Sequence, residues 1–263
     1  MLEREMKINL KSFIIWVFII LGLFLLIYLV YPSIINSDNI KMMDEMMNLF
    51  PEELLKAFNM DISSMDTAYG YLKTEGFVFI LVLTGVYSSI LGSNILLKEE
   101  SDKTIEYLNT LPITRKSILK DKIICAIIYI LSMIMIIGLF NFICLTLSGE
   151  FNIKEFLLLS ITPIFSSLPI FAITLYISTF THKTKKILSF SLGFVLLEYF
   201  LNILSEMNEV TEFFKYFSIY TLSDIRNVIL NVSINPIMPI ISILLTMIFI
   251  ILTNIRYNKK ELV

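Results

Sequence analysis

Few residues in this chain have the type and placement to do chemistry. Glu198 is the one carboxylate inside a long apolar run, His182 is the only histidine, and Cys125 and Cys144 are the only cysteines. A carboxylate within a run of membrane length can bind a cation, line a transport path, or pair with a polar group on a neighbouring helix. Counted from Lys186 at about 1.5 Å per residue, Glu198 lies roughly 18 Å along its helix, past the middle of a bilayer. A single histidine excludes an H-E-x-x-H metalloprotease and leaves an intramembrane enzyme little to work with. The two cysteines lie nineteen positions apart in one run, which on a helix separates them by roughly 28 Å and forbids a bond between them. They read as small apolar residues, and no Cys/His spacing suits a metal. No G-x-x-x-x-G-K-[ST] sequence occurs, so no P-loop holds nucleotide here. The chain thus offers no catalytic residue, no metal ligand set and no cofactor site of its own.

The elements that must position these residues are apolar runs: Ser12–Ser37, Gly76–Leu97, Ile123–Gly149, Phe156–His182, Ile187–Ser205 and Asn227–Ile255. Only the fifth carries a charge, Glu198. About 20 apolar residues cross a bilayer core as a helix. Barrel strands would instead show short alternating segments. The 263 residues are 56% hydrophobic, with a mean hydropathy of +0.79, above the usual apolar share of a globular domain. An all-α integral membrane protein follows, one permease-sized domain over 1–263 with spans near 13–31, 76–97, 123–147, 156–180, 187–204 and 234–254. The net charge of −2 gives no basic face for a nucleic-acid partner.

Basic residues set the orientation. Of the 21 Lys and Arg, 15 fall at the N-terminus, between spans two and three, between spans four and five, or at the C-terminus. Acidic residues lean the other way, eight of them between Asp38 and Glu75. Both termini are therefore expected in the cytoplasm. The stretch Met1–Lys11 reads as an interfacial helix or a frayed end. The outer segment 32–75 is expected to form a small helical cap: Ile40, Met43, Met47 and Phe50 recur at helical spacing, and Pro51 suits a helix start. Pro163 and Pro169 should kink or break span four. The aromatic stretch Phe213 to Tyr220 suits the water–lipid boundary, with short outer helices before span six.

The most distinctive text lies between spans two and three, in 98–122. Ile105, Leu108 and Leu111, with Tyr107 beside them, give a helix one apolar side. Pro112 disfavours helix at the preceding residue and so ends it. Thr114 suits the N-cap of a second helix that runs into span three. Leu111 and Ile113 at the turn, flanked by Arg115 and Lys116, make an apolar knuckle with a charged rim, a docking shape.

This run resembles the inner loop of type-2 ABC permeases, the membrane half of a class of ATP-driven exporters. The resemblance is carried by Glu99, Thr104, Ile105, Glu106, Tyr107, Leu108, Leu111, Pro112, Ile113, Thr114, Arg115 and Lys122. It implies a coupling helix that sits in a groove of an ATP-binding subunit, with Glu106, Tyr107, Leu108, Leu111, Pro112, Ile113, Thr114 and Arg115 at the contact. It implies a smaller second contact through Thr181, His182 and Lys183. ATP and Mg would belong to two copies of that ATPase, alongside a second permease copy or a sister permease. The outer segment after span one is longer than in the simplest members. The alternative reading is an ion-coupled carrier or channel that uses Glu198. The high Ile, Lys and Asn content points to an AT-rich bacterial genome, and so to a multi-pass protein of the cell membrane.

Overall fold

The computed structural model of the chain describes residues 1–34, 67–101, 114–149 and 151–260. Among the described residues all regular structure is helical. Six helices are long and apolar enough to cross a membrane: Leu2–Tyr31, Ala68–Asn94, Arg115–Ser148, Ile153–Ser178, Thr184–Met207 and Ile237–Tyr257. Most of the cap expected within 32–75 lies outside the described residues.

In chain order the elements are α1 (Leu2–Ile34), α2 (Ala68–Tyr71), α3 (Phe77–Asn94), α4 (Lys98–Ser101), α5 (Arg115–Ser148), α6 (Ile153–Ile161), α7 (Pro163–Ser178), α8 (Thr184–Met207), α9 (Ile225–Asn231) and α10 (Ile237–Tyr257). A π-helical turn, Leu72–Gly76, joins α2 to α3 as one span. Two 3₁₀ turns, Glu212–Tyr216 and Ile219–Ser223, precede α9. Their aromatic side chains Phe213, Tyr216 and Phe217 are exposed.

Local sequence explains the helix ends. Thr114 caps α5 with its Oγ1 accepting from the Ser117 backbone N–H at 3.3 Å. Gly149, at φ 148, stops that helix in a conformation costly for any residue with a Cβ. Asn152 caps α6 through the Glu155 N–H. The span breaks at Pro163, which begins α7, as its missing N–H requires. Pro169 by contrast is tolerated inside α7, where it is buried. The N-terminal stretch is not frayed: it is helical and continuous with the first span, α1 running unbroken from Leu2. The cause is side-chain anchoring, since the Tyr129 hydroxyl donates to the Met6 carbonyl and the Lys98 ammonium to the Ile8 carbonyl.

The most buried span is α2–α3, with 67% of its most apolar window covered, against 17% for α1 and α10. Its largest partner is α7. Lipid tails give helices no hydrophobic reason to associate, so close backbone approach through small residues must do it. Gly85, Ser88, Ser89, Gly92 and Ser93 are buried on α3, as are Ser166, Ser167, Thr174 and Ser178 on α7, and Gly92 lies directly against Thr174 and Phe171. A Cβ added at Gly92 would stand 2.6 Å from the Phe171 carbonyl oxygen. Several of these hydroxyls turn back on their own helix, Ser93 Oγ to the Ser89 carbonyl and Thr174 Oγ1 to the Ile170 carbonyl, so they pack without water. Helix α10 covers the other side of α7, α8 lies against α3, and α1 pairs with α5. The free faces of α1, α8 and α10 carry exposed Phe18, Leu29, Leu197, Phe200 and Ile251, the composition that hydrocarbon tolerates.

Candidate functional site

Both termini lie at one end of the bundle, the end where α3 finishes and α5 begins. There the chain assembles two charge clusters, each built from residues that precede and residues that follow positions 102–113 in sequence. The first is centred on Lys122, whose side chain is 1% exposed. Its ammonium donates to Glu99 Oε1 at 2.6 Å, to Glu5 Oε2 at 3.1 Å and to the Ile95 carbonyl at 2.8 Å. Three donors thus meet three acceptors, the full capacity of an ammonium group. Glu5 comes from α1, Ile95 and Glu99 from the end of α3 and the α4 turn, and Lys122 from α5. A buried ion costs several kcal/mol to desolvate, so it persists only where partners are complete.

The second cluster is built on Glu100, whose side chain is 2% exposed. Its Oε1 accepts from Lys260 Nζ at 2.9 Å, and its Oε2 lies 2.7 Å from His182 Nδ1. Lys260 also donates to the Thr181 carbonyl at 2.9 Å, and its own carbonyl accepts from Arg115 at 2.8 Å. Arg256 lies over the Phe180 ring at 3.5 Å, a cation–π contact that adds to the tie. The cluster therefore joins α4, the α7–α8 turn, the start of α5 and the C-terminal end of α10.

These contacts place part of the expected coupling set. Thr114 and Arg115 stand at the start of α5, and Arg115 is already engaged with the chain's own C-terminal stretch. Thr181 and His182 meet in the second cluster, while Lys183 is exposed and its backbone N–H donates to Thr181 Oγ1. His182 keeps a half-exposed ring, so it can face solution while holding Glu100. Glu106, Tyr107, Leu108, Leu111, Pro112 and Ile113 lie outside the described residues. Glu5 was not singled out by sequence. The one available signal was a carboxylate four residues before Asn9, on the side that later meets Lys122; Asn9 Nδ2 donates to the Glu5 carbonyl.

Glu198 is at the opposite end and does different work. Its carboxylate accepts from the Ile219 backbone N–H at 2.7 Å, and its own carbonyl accepts from Ser218 Oγ at 2.8 Å. The Ile219–Ser223 turn therefore reaches nine residues below the end of α8 at Met207, roughly 14 Å along the helix. Irregular backbone at such depth survives only when buried in protein with its polar groups satisfied. Tyr220 of this turn is buried, and its hydroxyl occupies the space a Cβ at Gly85 would need. Ser223 Oγ lies 2.9 Å from Ser166 Oγ of α7. Glu198 is thus the cap of a re-entrant turn wedged between α3, α7 and α8. Asp224 follows in the left-handed region at φ 47. Burial pushes its carboxyl above the ordinary aspartate range, partly offset by the Asn227 amide and the Asn235 backbone.

Among the described residues no group of His, Cys, Asp and Glu is arranged to hold a metal ion. Six apolar helices, hydroxyl-lined helix contacts and two charge clusters at one end define a multi-pass membrane protein. The model of the ABC-2 family transporter protein matches residues 1–262, and the chain belongs to that family. No curated protein and no solved structure matches it. Proteins of this family are membrane transport subunits of ABC transporters that normally work with an ATP-binding subunit.

Proposed function

We propose that this chain is the permease of an ATP-driven exporter, with both termini in the cytosol and two copies of a separate ATPase supplying the energy. A second permease copy or a sister chain completes the pathway, since six helices with three sparsely covered spans are few for a translocation route. The segment 98–122 is the lever. In this reading the knuckle around Leu111, Pro112 and Ile113, with Glu106, Tyr107 and Leu108 before it and Thr114 and Arg115 after it, docks on the ATPase. Thr181, His182 and Lys183 make a smaller contact beside it.

The observation that supports this reading is that both charge clusters are built from residues that flank 102–113 in sequence. Glu99 and Glu100 precede the segment and Arg115 and Lys122 follow it; Glu99 and Lys122 meet with Glu5 of α1, while Glu100 and Arg115 both engage Lys260 after α10. A push on the segment would load α1, α3 and α5 through the Lys122 cluster, and α8 and α10 through Glu100. Packed elements with fixed polar ties move as units rather than deforming.

The ion-coupled alternative asks Glu198 to exchange a cation. Its carboxylate is committed to a backbone N–H at 2.7 Å, which favours the capping role. The test is co-purification with a tagged candidate ATPase, then parallel ATPase and transport assays. Leu111→Asp, or charge reversal at both Glu106 and Arg115, should leave insertion intact and uncouple hydrolysis from transport. Normal transport in these variants would remove the coupling assignment.

A further inference from the structure

A cavity of about 230 Å³ opens at the terminal end between α1, α3, α4 and α8. Its rim and walls sit where the apolar runs meet the charged stretches. Ser12 begins the first charge-free run, Asn94 is the last residue of α3, and Thr184 is the first of α8. Lys98 and Ser101 stand on the polar side, while Tyr87, Ile90 and Leu91 line the apolar side. The space therefore straddles the boundary between water and hydrocarbon.

Its chemistry is specific. Among the described residues Lys98 has a carbonyl partner, Ile8, and no carboxylate. The nearby acids are committed elsewhere: Glu5 and Glu99 to Lys122, Glu100 to Lys260 and His182. Asn94 Oδ1 and Thr184 Oγ1 are buried without a hydrogen-bond partner. A buried polar oxygen left unpaired costs about 1–3 kcal/mol, so such atoms mark a place where a partner belongs. The cap residue of α8, Lys183, makes no side-chain cap, so the positive end of that helix also faces this region.

We propose that this cavity holds the headgroup of an anionic phospholipid carrying a hydroxyl, such as phosphatidylglycerol, from the leaflet at the terminal end. The phosphate pairs with Lys98 and the Thr184 hydroxyl. The headgroup hydroxyl donates to Asn94 Oδ1, which the phosphodiester group itself cannot do. The acyl chains leave along Ile90 and Leu91. Size favours a headgroup over a whole amphiphile, since small-molecule pockets run to about 300–1,000 Å³. Basic pockets between membrane helices are suited to anionic headgroups. The inference is independent of the export reading and requires only that the chain sits in a bilayer.

The chain's single tryptophan, Trp16, stacks near Tyr87 with ring centroids 6.1 Å apart, so it reports on this cavity. The experiment reconstitutes the full chain with brominated phosphatidylglycerol and measures Trp16 quenching under competition. Unlabelled phosphatidylglycerol should compete about fivefold better than phosphatidylcholine, the weight of one interfacial lysine. Lys98→Gln should erase that preference. Asn94→Leu should abolish the advantage of phosphatidylglycerol over phosphatidic acid, and Ser12→Phe should block the cavity by size. Lys120→Gln, an exposed lysine away from the cavity, should change nothing. Equal competition by all lipids in the wild-type chain, as a water-filled cavity gives, overturns the proposal. So does equal loss in Lys120→Gln, or an unchanged preference in both Lys98→Gln and Ser12→Phe. Displacement by millimolar glycerol phosphate would reassign the site to a soluble phosphate ester and overturn the lipid assignment.

Discussion

Replacing Lys122 with methionine keeps most of the unbranched side chain and removes its charge. In the structure that ammonium satisfies two carboxylates and one carbonyl, at 2.6, 3.1 and 2.8 Å. Its loss leaves Glu5 and Glu99 facing each other in a site where both are under 5% exposed. Removing one partner of a buried ion set costs about 3–5 kcal/mol, most of it the uncompensated charge left behind. An exposed pair of the same geometry would cost about 0–1 kcal/mol. The comparison that isolates the effect is Lys122→Met against the triple variant Glu5→Gln, Glu99→Gln, Lys122→Met, which buries no charge. Equilibrium unfolding in detergent should show Lys122→Met destabilised by about 3–5 kcal/mol and the triple variant recovering most of that. Cysteine cross-linking between α1 and α5 adds a structural readout, since Glu5 and Lys122 hold those helices together. A loss under about 1 kcal/mol in Lys122→Met would place the cluster in water and refute the reasoning. A triple variant no more stable than the single one would show that the ties themselves, rather than unpaired charge, dominate.

At Glu198, Gln preserves an acceptor for the Ile219 N–H and should leave stability and transport nearly unchanged. Glu198→Leu leaves that N–H unpaired and should cost about 1–3 kcal/mol in unfolding experiments; abolished transport in the Gln variant would instead favour the ion-coupled alternative. Gly92→Ala drives a methyl against the Phe171 carbonyl and should cost about 1–3 kcal/mol. Gly22→Ala, which meets nothing within 4 Å, should be neutral or slightly stabilising; equal thermal shifts in the two would deny the close α3–α7 contact. Asp224→Asn suits the left-handed backbone and removes a partly buried ionisable group. The folded-state pKa of Asp224 is raised by burial, so wild-type stability falls as pH climbs through that range. The advantage of Asp224→Asn should therefore be small near pH 4 and grow toward neutral pH, and a pH-independent difference would contradict the burial argument.

Much of the architecture was readable as sequence because each span is specified twice, by apolar length and by the charges that bound it. Pro163 announced the break between α6 and α7, and Thr114 announced the start of α5. The joining of Met1–Lys11 to the first span was not readable. Its anchors, Tyr129 and Lys98, lie 123 and 90 residues away from their acceptors, and no local pattern encodes so distant a partner. Glu198 could be flagged as a buried acid, but its partner is a backbone N–H, and every residue but proline offers one. The same limit hid Glu5. An acidic residue in a charged N-terminal stretch looks solvated until its lysine is known.

The π-helical turn at Leu72–Gly76 has a bearing on how this chain tolerates insertions and deletions. A π turn holds one residue more than the α-helix around it, and each residue turns a helix by about 100°. Removing a single codon within 72–76 would therefore restore regular winding and leave Ala68–Tyr71 on its present face of the span. The same extra residue wound as regular α-helix would instead turn Ala68–Tyr71 by about 100°, and the Lys73–Glu155 pair, now at 2.8 Å, would be lost. The core below, from Phe77 onward, would keep its register. That turn is a point where the length of the gene can change by one residue while both flanking segments keep the faces they present.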